Sequence, residues 1–531
     1  MTLTKPAGTG RSAVLVALGI LASRLTGLVR QYFFARYFGL QSDAADAFSA
    51  AFRIPNFLQN LFGEGALSAS FIPVYAGLLA RGSREEADRV AAAVASLLAL
   101  VVSMLVLVGV VATPLLIAAI APGFHGAKRD LTIAIVRILF PGTGLLVLSA
   151  WCLGVLNSHR RFLLSYMAPV MWNAAMIATL VALGAKTPLP RLSIFLAWGS
   201  VVGCALQLAV QVPAVLRVAP GVIGATRIKG DRDVRTVVRN FGPVFISRGV
   251  VQLSAYIDTL LASWLPTGAV TGLSNAALLY TLPVSLFGMS ISAAELPAMS
   301  GVASVDPAGA EAVRRRLEEG LRRIAFFIVP SAMAFLSLGD VIAAALFQSG
   351  RFTHADAVYV WGILAGSAVG LLASTLGRLY SSTYYALGDT RTPLRYALLR
   401  VTLTTVLGYV CAIPLPRLIG IPQMWGAAGL TASAGVAGWT EMLMLRRTLN
   451  ARIGRTGLPS GYVLRLWLAA AIAAAAAWSA RLIAPSAHPI VMAVMILGPY
   501  GFVFAAATLA FRIPEASAML SRIPRAPLRS S

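Results

Sequence analysis

The stretch VAAAVASLLALVVSMLVLVGVVATPLLIAAI, residues 90–120, decides the fold class of this chain. It carries no charged residue and exceeds the roughly 20 apolar residues that cross the hydrocarbon core of a bilayer as one helix. Predominantly apolar runs recur at 192–215, 324–346 and 490–511. Inside lipid every backbone N–H and C=O needs a partner within the protein, and these runs lack the alternation of barrel strands. They therefore predict an all-α integral membrane protein.

The composition supports the same class. Of the 531 residues, 58% are hydrophobic and 12% are charged, whereas soluble domains have about 45–50% apolar and about 25% charged residues. The net charge of +24 could suggest nucleic-acid binding. However, the basic residues form short clusters between the apolar runs, which is the distribution that orients a membrane protein. Nucleic acid is therefore not expected as a partner.

About fourteen membrane helices are predicted when roughly 20 residues are allowed for each span. Basic residues favour alternate loops by about four to one, as the positive-inside rule expects when both termini are cytoplasmic. The link at 217–235 follows the sixth helix and suggests two halves, a common transporter plan. The segment 306–323 is either an amphipathic surface helix or a solvated linker. The approximate helix limits are 12–37, 47–79, 90–120, 131–157, 162–184, 192–216, 236–265, 270–299, 322–346, 356–387, 394–414, 424–446, 461–483 and 489–512.

The first predicted helix contains SRLTGLVRQYFFARYFG, residues 23–39. Arg24 and Arg30 lie well inside it, and Arg36 lies nearer its outer end. A charge within a span is costly and usually marks a pathway or a site. Two readings stay open: these arginines line an internal polar space, or some of them snorkel or pair with acids for structural reasons.

The second predicted helix is unusually polar for a membrane span. Pro55 and Pro73 interrupt it and permit bends. A bent, polar helix beside an arginine-bearing helix suits a cavity that opens and closes, and the alternative is a structural ion-pair network between the two helices. Its polar residues are Asp46, Arg53, Asn56, Gln59, Asn60 and Glu64.

Later helices carry fewer charges. Asp258 and Glu295 stand out, because an acid within a span can take up a proton or cation to couple transport. A capping or hydrogen-bonding role explains them equally well. The charges around GDTRTP at 388–393, which reads as a loop before a helix start at Pro393, are expected at the cytoplasmic surface. These charges are Arg378, Asp389, Arg391 and Arg395.

Motifs for catalysis or cofactors are missing from the sequence. There is no GxxxxGK[ST] loop, no HExxH and no assignable Ser/His/Asp arrangement. The three cysteines, Cys152, Cys204 and Cys411, lie within or beside apolar runs and show no ligand spacing. We therefore predict no catalytic residue, no metal site and no cofactor.

The order of the polar residues resembles the opening of the MurJ (MviN) family, the lipid II flippases of peptidoglycan synthesis. The shared pattern is an arginine, five residues and a second arginine at 24–30, then F-x-x-P-N at 52–56, then EGA-x-S-x-x-F-x-P at 64–73. GDTRTP is also similar to the family. This family belongs to the multidrug/oligosaccharidyl-lipid/polysaccharide (MOP) exporter superfamily.

The resemblance implies two six-helix lobes around a V-shaped central cavity, plus two C-terminal helices that form a hydrophobic groove. The N-terminal lobe would be 1–216, the cytoplasmic linker 217–235 and the C-terminal lobe 236–450. Residues 451–531 would hold the two additional helices and a cytoplasmic tail.

The resemblance also implies the site. Arg24 and Arg30 match the family's cavity arginines, and Asp46 and Glu64 match acids of its second helix. Asp258 falls where some members place an acid of a sodium site, which makes it a candidate for cation coupling. Three positions depart from the family pattern, because residues of other types stand where an acid and two arginines are usual. They are Gln31, Gln59 and Leu278.

The expected substrate is lipid II, an undecaprenyl diphosphate that carries a disaccharide-pentapeptide. Arginines suit its diphosphate, and amide side chains such as Asn56 and Gln59 suit its sugars. The expected function is movement of lipid II from the cytoplasmic to the periplasmic leaflet of the bacterial inner membrane by alternating access, without enzymatic chemistry. Membrane lipids and other cell-wall synthesis proteins are the further expected partners, and coupling to the membrane potential or to a cation stays open.

Three alternatives remain at this point. The first is a flippase for another polyprenyl-diphosphate-linked glycan, which the departing positions keep open. The second is a cation-coupled drug exporter, against which the arginine-rich first helix counts. The third is a membrane enzyme acting on polyprenyl phosphates, and the lack of an acid/histidine cluster at one membrane face counts against it.

Overall fold

The computed structural model describes residues 9–62, 67, 70–223, 232–302, 307–483 and 488–520. Nearly all regular structure in these ranges is α-helical. The helices are α1 (Thr9–Phe38), α2 (Asp43–Phe62), α3 (Ile72–Ala80), α4 (Arg84–Ile120), α5 (Gly126–Ser158), α6 (Phe162–Leu183), α7 (Leu189–Val218), α8 (Arg232–Ser263), α9 (Ala269–Pro283), α10 (Ser290–Ser300), α11 (Pro307–Ser337), α12 (Gly339–Phe347), α13 (His354–Ala386), α14 (Arg391–Ala412), α15 (Pro414–Leu418), α16 (Gly426–Ile453), α17 (Ser460–Ile483), α18 (Pro489–Ala510) and α19 (Pro514–Leu520).

The all-α membrane class is confirmed. In the described part of the chain, ten helical segments are long and apolar enough to cross a bilayer. The other predicted spans coincide with α1, α2–α3, α8 and α16, which are also helical. Each of these spans carries charges inside its sequence.

Several spans predicted as single helices are divided. The second span consists of α2 and α3, and Pro73 lies in the first turn of α3, where a missing N–H costs nothing. The span at 270–299 changes from α9 to a π-helical turn at Val284–Met289 directly after Pro283, because a proline cannot complete the helical hydrogen bonding. The span at 322–346 is broken at Leu338, between α11 and α12.

The segment 306–323 is a helix from residue 307 onward and forms the first half of α11. Val313 and Leu317 are fully buried, whereas Arg315 and Glu319 are exposed. The apolar residues recur every four positions and therefore lie on one face. The amphipathic helix is therefore confirmed, whereas its place at the membrane surface stays a prediction.

The chain divides into two compact units, residues 1–271 with 349–352 and residues 272–348 with 353–531. In the first unit α5 packs against α2, α4 and α7, and α6 joins α1 to α7. Leu139, Leu180 and Leu196 are buried at these contacts. The predicted lobe boundary at 217–235 stays a prediction, and residues 224–231 lie outside the described residues.

In the second unit α13 is the central helix and packs against α11 and α16. The α17–α18 pair packs on α11 and α12 through small residues such as Ala473 and Ala477, because alanine lets helix backbones approach closely. Arg481 at the end of α17 forms an ion pair with the buried carboxylate of Asp340 in α12, at 2.8 Å.

The GDTRTP motif joins α13 to α14 as predicted, but α14 begins at Arg391, two residues before the predicted helix start at Pro393. Gly388 has a φ of +76°, a conformation that favours glycine. Asp389 accepts hydrogen bonds from the backbone N–H groups of Arg391 and Thr392, at 2.9 and 3.0 Å, which caps the start of α14. Arg452 of α16 pairs with the same carboxylate at 2.8 Å. The motif therefore fixes the turn and ties it to a third helix.

Candidate functional site

Arg30 on α1 has a well-defined environment. Its guanidinium carbon lies 5.0 Å from the ring centre of Phe52 on α2 and 5.8 Å from that of Trp172 on α6. A guanidinium over aromatic faces is held by cation–π attraction, which leaves its N–H donors unused. In the part of the chain that the structure describes, no carboxylate forms an ion pair with Arg30. Its donors are therefore available to an anion.

The rings that hold Arg30 belong to a larger stack, which we call the aromatic ladder. In spatial order it consists of Phe38 and Phe34 on α1, Phe48 and Phe52 on α2, and Trp172 on α6. Consecutive ring centres are 4.6 to 5.5 Å apart. Stacked rings have few alternative rotamers, so the ladder holds Arg30 in one place before any ligand arrives.

Two hydrogen bonds support this region from behind. The indole N–H of Trp172 donates to the Ser200 hydroxyl on α7 at 2.9 Å, which fixes the end of the aromatic ladder. The Asn173 side chain donates to the Thr26 hydroxyl at 3.4 Å, which joins α6 to α1. Both bonds keep the surroundings of Arg30 rigid.

Arg24 lies on the same helix, six residues before Arg30, or about 9 Å along the axis. Its side chain is exposed. Within the described ranges it also has no carboxylate partner. Both predicted arginines thus lie on α1 without a carboxylate partner in the described ranges, but the aromatic contacts are those of Arg30.

Arg53 on α2 is a polar residue that the sequence analysis noted without assigning it to the site. Its guanidinium donates to the Thr259 hydroxyl of α8, and the Tyr256 hydroxyl donates to the Arg53 carbonyl at 3.1 Å. Asp258 interacts electrostatically with Arg53. The charge of Arg53 inside a predicted span is visible in the sequence and indicates that the side chain needs a partner. The sequence does not indicate that this partner lies on α8.

Asp46 has its own set of partners. Its carboxylate pairs with Lys128 at 2.9 Å and accepts the backbone N–H groups of Gly268 and Thr271, each at 2.9 Å. The Thr271 hydroxyl also donates to it, at 2.8 Å. These groups form the first turn of α9, where a negative charge is favoured. The predicted role of Asp46 in substrate binding stays a prediction beside this structural one.

The remaining predicted site residues are less informative. The backbones of Asn56 and Gln59 belong to α2, but their side chains lie outside the described part, and Glu64 lies outside it altogether. Leu278, one of the departing positions, is a partly buried residue of α9. Among the described residues, no group of three His, Cys, Asp or Glu side chains is placed to hold a metal ion.

Comparison with known proteins matches the family model "Lipid II flippase MurJ" to residues 34–509. The chain belongs to the MurJ family. It is 33% identical to the lipid II flippase MurJ of Burkholderia cenocepacia over 447 residues, which covers 83% of this chain and 84% of the relative. The family resemblance found in the first eighty residues therefore extends over most of the sequence, and the chain is a flippase rather than an enzyme.

Solved structures agree on the fold. A MurJ lipid II flippase in an inward closed conformation matches with a TM-score of 0.76 at 23% identity and covers 94% of this chain and 99% of that one. An inward-facing multidrug transporter of the MATE family, from the MOP superfamily, matches with a TM-score of 0.65 at 16% identity, covering 83% and 98%. Both matches show that the chain has the fold of these transporters.

Proposed function

We propose that this chain moves lipid II from the cytoplasmic to the periplasmic leaflet by alternating access. Membership of the MurJ family supports this cargo. The single observation that carries the proposal is the setting of Arg30, whose guanidinium is held by Phe52 and Trp172 while its donors stay free. A planar fork of N–H groups matches the oxygens of a diphosphate, and Arg24 adds a second positive charge.

The contacts between loops support the proposed arrangement in the membrane. The loop between the first and second predicted spans contacts three other loops that are predicted on the same side. Asp46 bonds Lys128 and Thr271, and Arg36 bonds Ser349 at 2.9 Å. Loops predicted on the other side also meet, since Tyr75 bonds His159 at 2.9 Å and Asp88 accepts the Gly221 N–H at 3.0 Å. The charge bias then assigns the first side to the periplasm and both termini to the cytoplasm.

The coupling energy is a further part of the proposal. Asp258 is the candidate for cation coupling, and its electrostatic partner is Arg53. A cation that binds Asp258 must compete with this arginine, so only a state that separates the two side chains would bind the cation strongly. The membrane potential is the alternative source of energy.

The test is lipid II translocation by the purified protein in proteoliposomes, together with rescue of cells depleted of their own lipid II flippase. We expect Arg30→Gln to abolish both activities while the protein still folds. The matched control is Arg191→Gln, which removes an exposed arginine at the start of α7 and should change neither. Translocation of a different polyprenyl-diphosphate-linked glycan, with no translocation of lipid II, would establish the alternative cargo instead.

A further inference from the structure

The second unit contains a charged cluster that the proposed transport site does not use. Arg400 on α14 pairs with Glu441 on α16, with 3.4 Å between Nε and Oε2. Arg378 on α13 experiences repulsion from Arg400 and attraction from Glu441, which places the three charges near one another. One carboxylate thus faces two guanidinium groups, and the cluster has a net positive charge.

Arg378 is the more available of the two arginines. Its side chain is exposed, and within the described ranges it forms no ion pair. The exposed Tyr385 lies seven residues further along α13, on the same face, and interacts electrostatically with Arg378 and Glu441. Tyr280 of α9, which is hydrogen-bonded to Ser374 at 2.7 Å, borders the cluster as well.

The helices form a groove at this position. α13 and α14 each pack along α16, but they scarcely contact each other beyond the turn that joins them. The space between them is therefore floored by α16, the helix that carries Glu441. The side chain of Arg400 is 36% exposed and that of Glu441 is 13% exposed, so a ligand in the groove reaches the arginines more easily than the acid.

The depth of the cluster indicates the kind of ligand. Arg378 was expected at the cytoplasmic surface, but it lies eight residues before the end of α13, about 12 Å along the axis. Arg400 lies nine residues after the start of α14, about 13 Å along it. The headgroup layer is only about 5–7 Å thick on each side of the hydrocarbon core, so the backbones of both arginines lie just inside that layer. Arginine side chains at this depth extend outward to the headgroups, where the anions are the phosphates of lipids.

We propose that Arg378 and Arg400 form a binding site for the phosphate group of a lipid from the cytoplasmic leaflet. Arg378 provides free donors, and Arg400 exchanges part of its interaction with Glu441 for the phosphate. Glu441 therefore acts as an internal competitor that keeps the site occupied when no lipid is bound and weakens binding enough to permit release. The site is separate from Arg24 and Arg30, and only its assignment to the cytoplasmic leaflet rests on the proposed function.

The experiment measures lipid retention by the purified full-length protein with native mass spectrometry, using phosphatidylglycerol as the probe and phosphatidylcholine as the zwitterionic control. Arg378→Gln should weaken phosphatidylglycerol binding by about tenfold, the effect of losing one charge-assisted hydrogen bond. Glu441→Gln should strengthen it, since the competing carboxylate is gone. Arg395→Gln, an exposed arginine elsewhere on α14, is the matched control and should leave binding unchanged.

The opposite effects of Arg378→Gln and Glu441→Gln on lipid binding distinguish a binding site from a structural ion pair. Equal binding by wild type and Arg378→Gln would overturn the proposal, and so would an equal loss with Arg395→Gln, which would indicate diffuse attraction. Glu441 keeps Arg400 as its ion-pair partner in Arg378→Gln, so this variant is informative even if Arg400→Gln fails to fold. Undecaprenyl diphosphate is tested as a second probe in an Arg24→Gln/Arg30→Gln background. If this variant retains the probe and the further change Arg378→Gln abolishes retention, the site also accepts the diphosphate of the cargo.

Discussion

Lys128 and Asp46 form an ion pair of 2.9 Å in which the acid is only 1% exposed. The same carboxylate accepts two backbone N–H groups at the start of α9. A buried charge with this many partners stabilises one arrangement of the chain, because removal of any partner leaves the others unsatisfied. This arrangement joins the starts of α2, α5 and α9 in the first unit.

Asp46→Asn should therefore lower the free energy of unfolding by about 3 kcal/mol, the usual cost of breaking a buried ion pair. The double variant Asp46→Asn/Lys128→Met should lose less than the sum of the two single variants, since neither charge is then left unpaired. The measurement is chemical denaturation of the purified protein.

Asp43→Asn is the control for this prediction. Asp43 also pairs with Lys128, at 3.3 Å, but its side chain is 63% exposed, so its loss should cost less than about 1 kcal/mol. Wild-type stability in Asp46→Asn, combined with loss of lipid II binding, would show instead that Asp46 contacts the cargo, as the sequence alone predicted.

Arg30→Lys should retain only part of the transport activity. A lysine keeps the charge but lacks the planar fork that matches a diphosphate and stacks on Phe52. Phe52→Leu should reduce lipid II affinity by about three- to tenfold, because it removes the cation–π contact and leaves Arg30 less ordered. Both are measured as lipid II binding and translocation.

The matched control for Phe52→Leu is Phe57→Leu. Phe57 lies on the same helix but contacts Tyr256, with ring centres 5.2 Å apart, and takes no part in the aromatic ladder. Equal losses in the two variants would mean that Phe52 acts through packing of α2 and not through Arg30.

Sequence patterns predicted the helices well because each span depends on a local property, a run of apolar residues. The arginines of α1 could be found for the same reason, since a charge in such a run is visible without a partner. Partners could not be found this way. Thr259 lies 206 positions after Arg53, and Thr271, whose hydroxyl donates to Asp46, lies 225 positions after Asp46. Such pairs depend on how helices pack, which no local pattern specifies.

The topology prediction can be tested with single cysteines. Thr267→Cys and Arg315→Cys both introduce an exposed thiol, and the natural cysteines are buried or partly buried. A membrane-impermeant maleimide applied to whole cells should label residue 267, on the periplasmic side, and should label residue 315 only after the membrane is opened. The reverse pattern would invert the orientation that the basic loops indicate.

Stability should fall as the pH is lowered from 7 to 5.5 because of His159. Its ring is bonded to Tyr75 at 2.9 Å. Burial lowers the pKa of His159 below the ordinary value, Arg84 and Arg161 lower it further, and Asp88 acts in the opposite direction. Below about pH 6.5 the unfolded chain therefore binds a proton that the folded chain does not, and this favours unfolding.

The check is the melting temperature of wild type and His159→Gln over this pH range. Glutamine can still bond Tyr75 but does not titrate. The melting temperature of His159→Gln should therefore depend less on pH than that of wild type, even if the two proteins differ in melting temperature at pH 7. Parallel curves for the two proteins would show that His159 does not contribute to the pH dependence.

Gln59→Arg addresses the positions at which this chain departs from its family. Because Gln59 and Leu278 stand at positions where arginine is usual in the family, binding of the cargo phosphate should depend mainly on Arg24 and Arg30. An added arginine on α2 near the headgroup should therefore tighten lipid II binding. At an effective dielectric constant of about 20, one nearby charge contributes on the order of a few kcal/mol before desolvation is subtracted. Tighter binding should also slow translocation, since only a difference in affinity between the inward and outward states drives transport.

The measurement is lipid II affinity of wild type and Gln59→Arg at low and high salt, with translocation measured in parallel. Gln41→Arg is the control, because Gln41 is exposed in the loop before α2 and the variant adds the same charge outside that helix. A gain in affinity that salt reduces, seen in Gln59→Arg and not in Gln41→Arg, places residue 59 beside the headgroup. Unchanged affinity at both salt concentrations would mean that this face of α2 does not contact the cargo, and the substrate role of Gln59 would then be wrong.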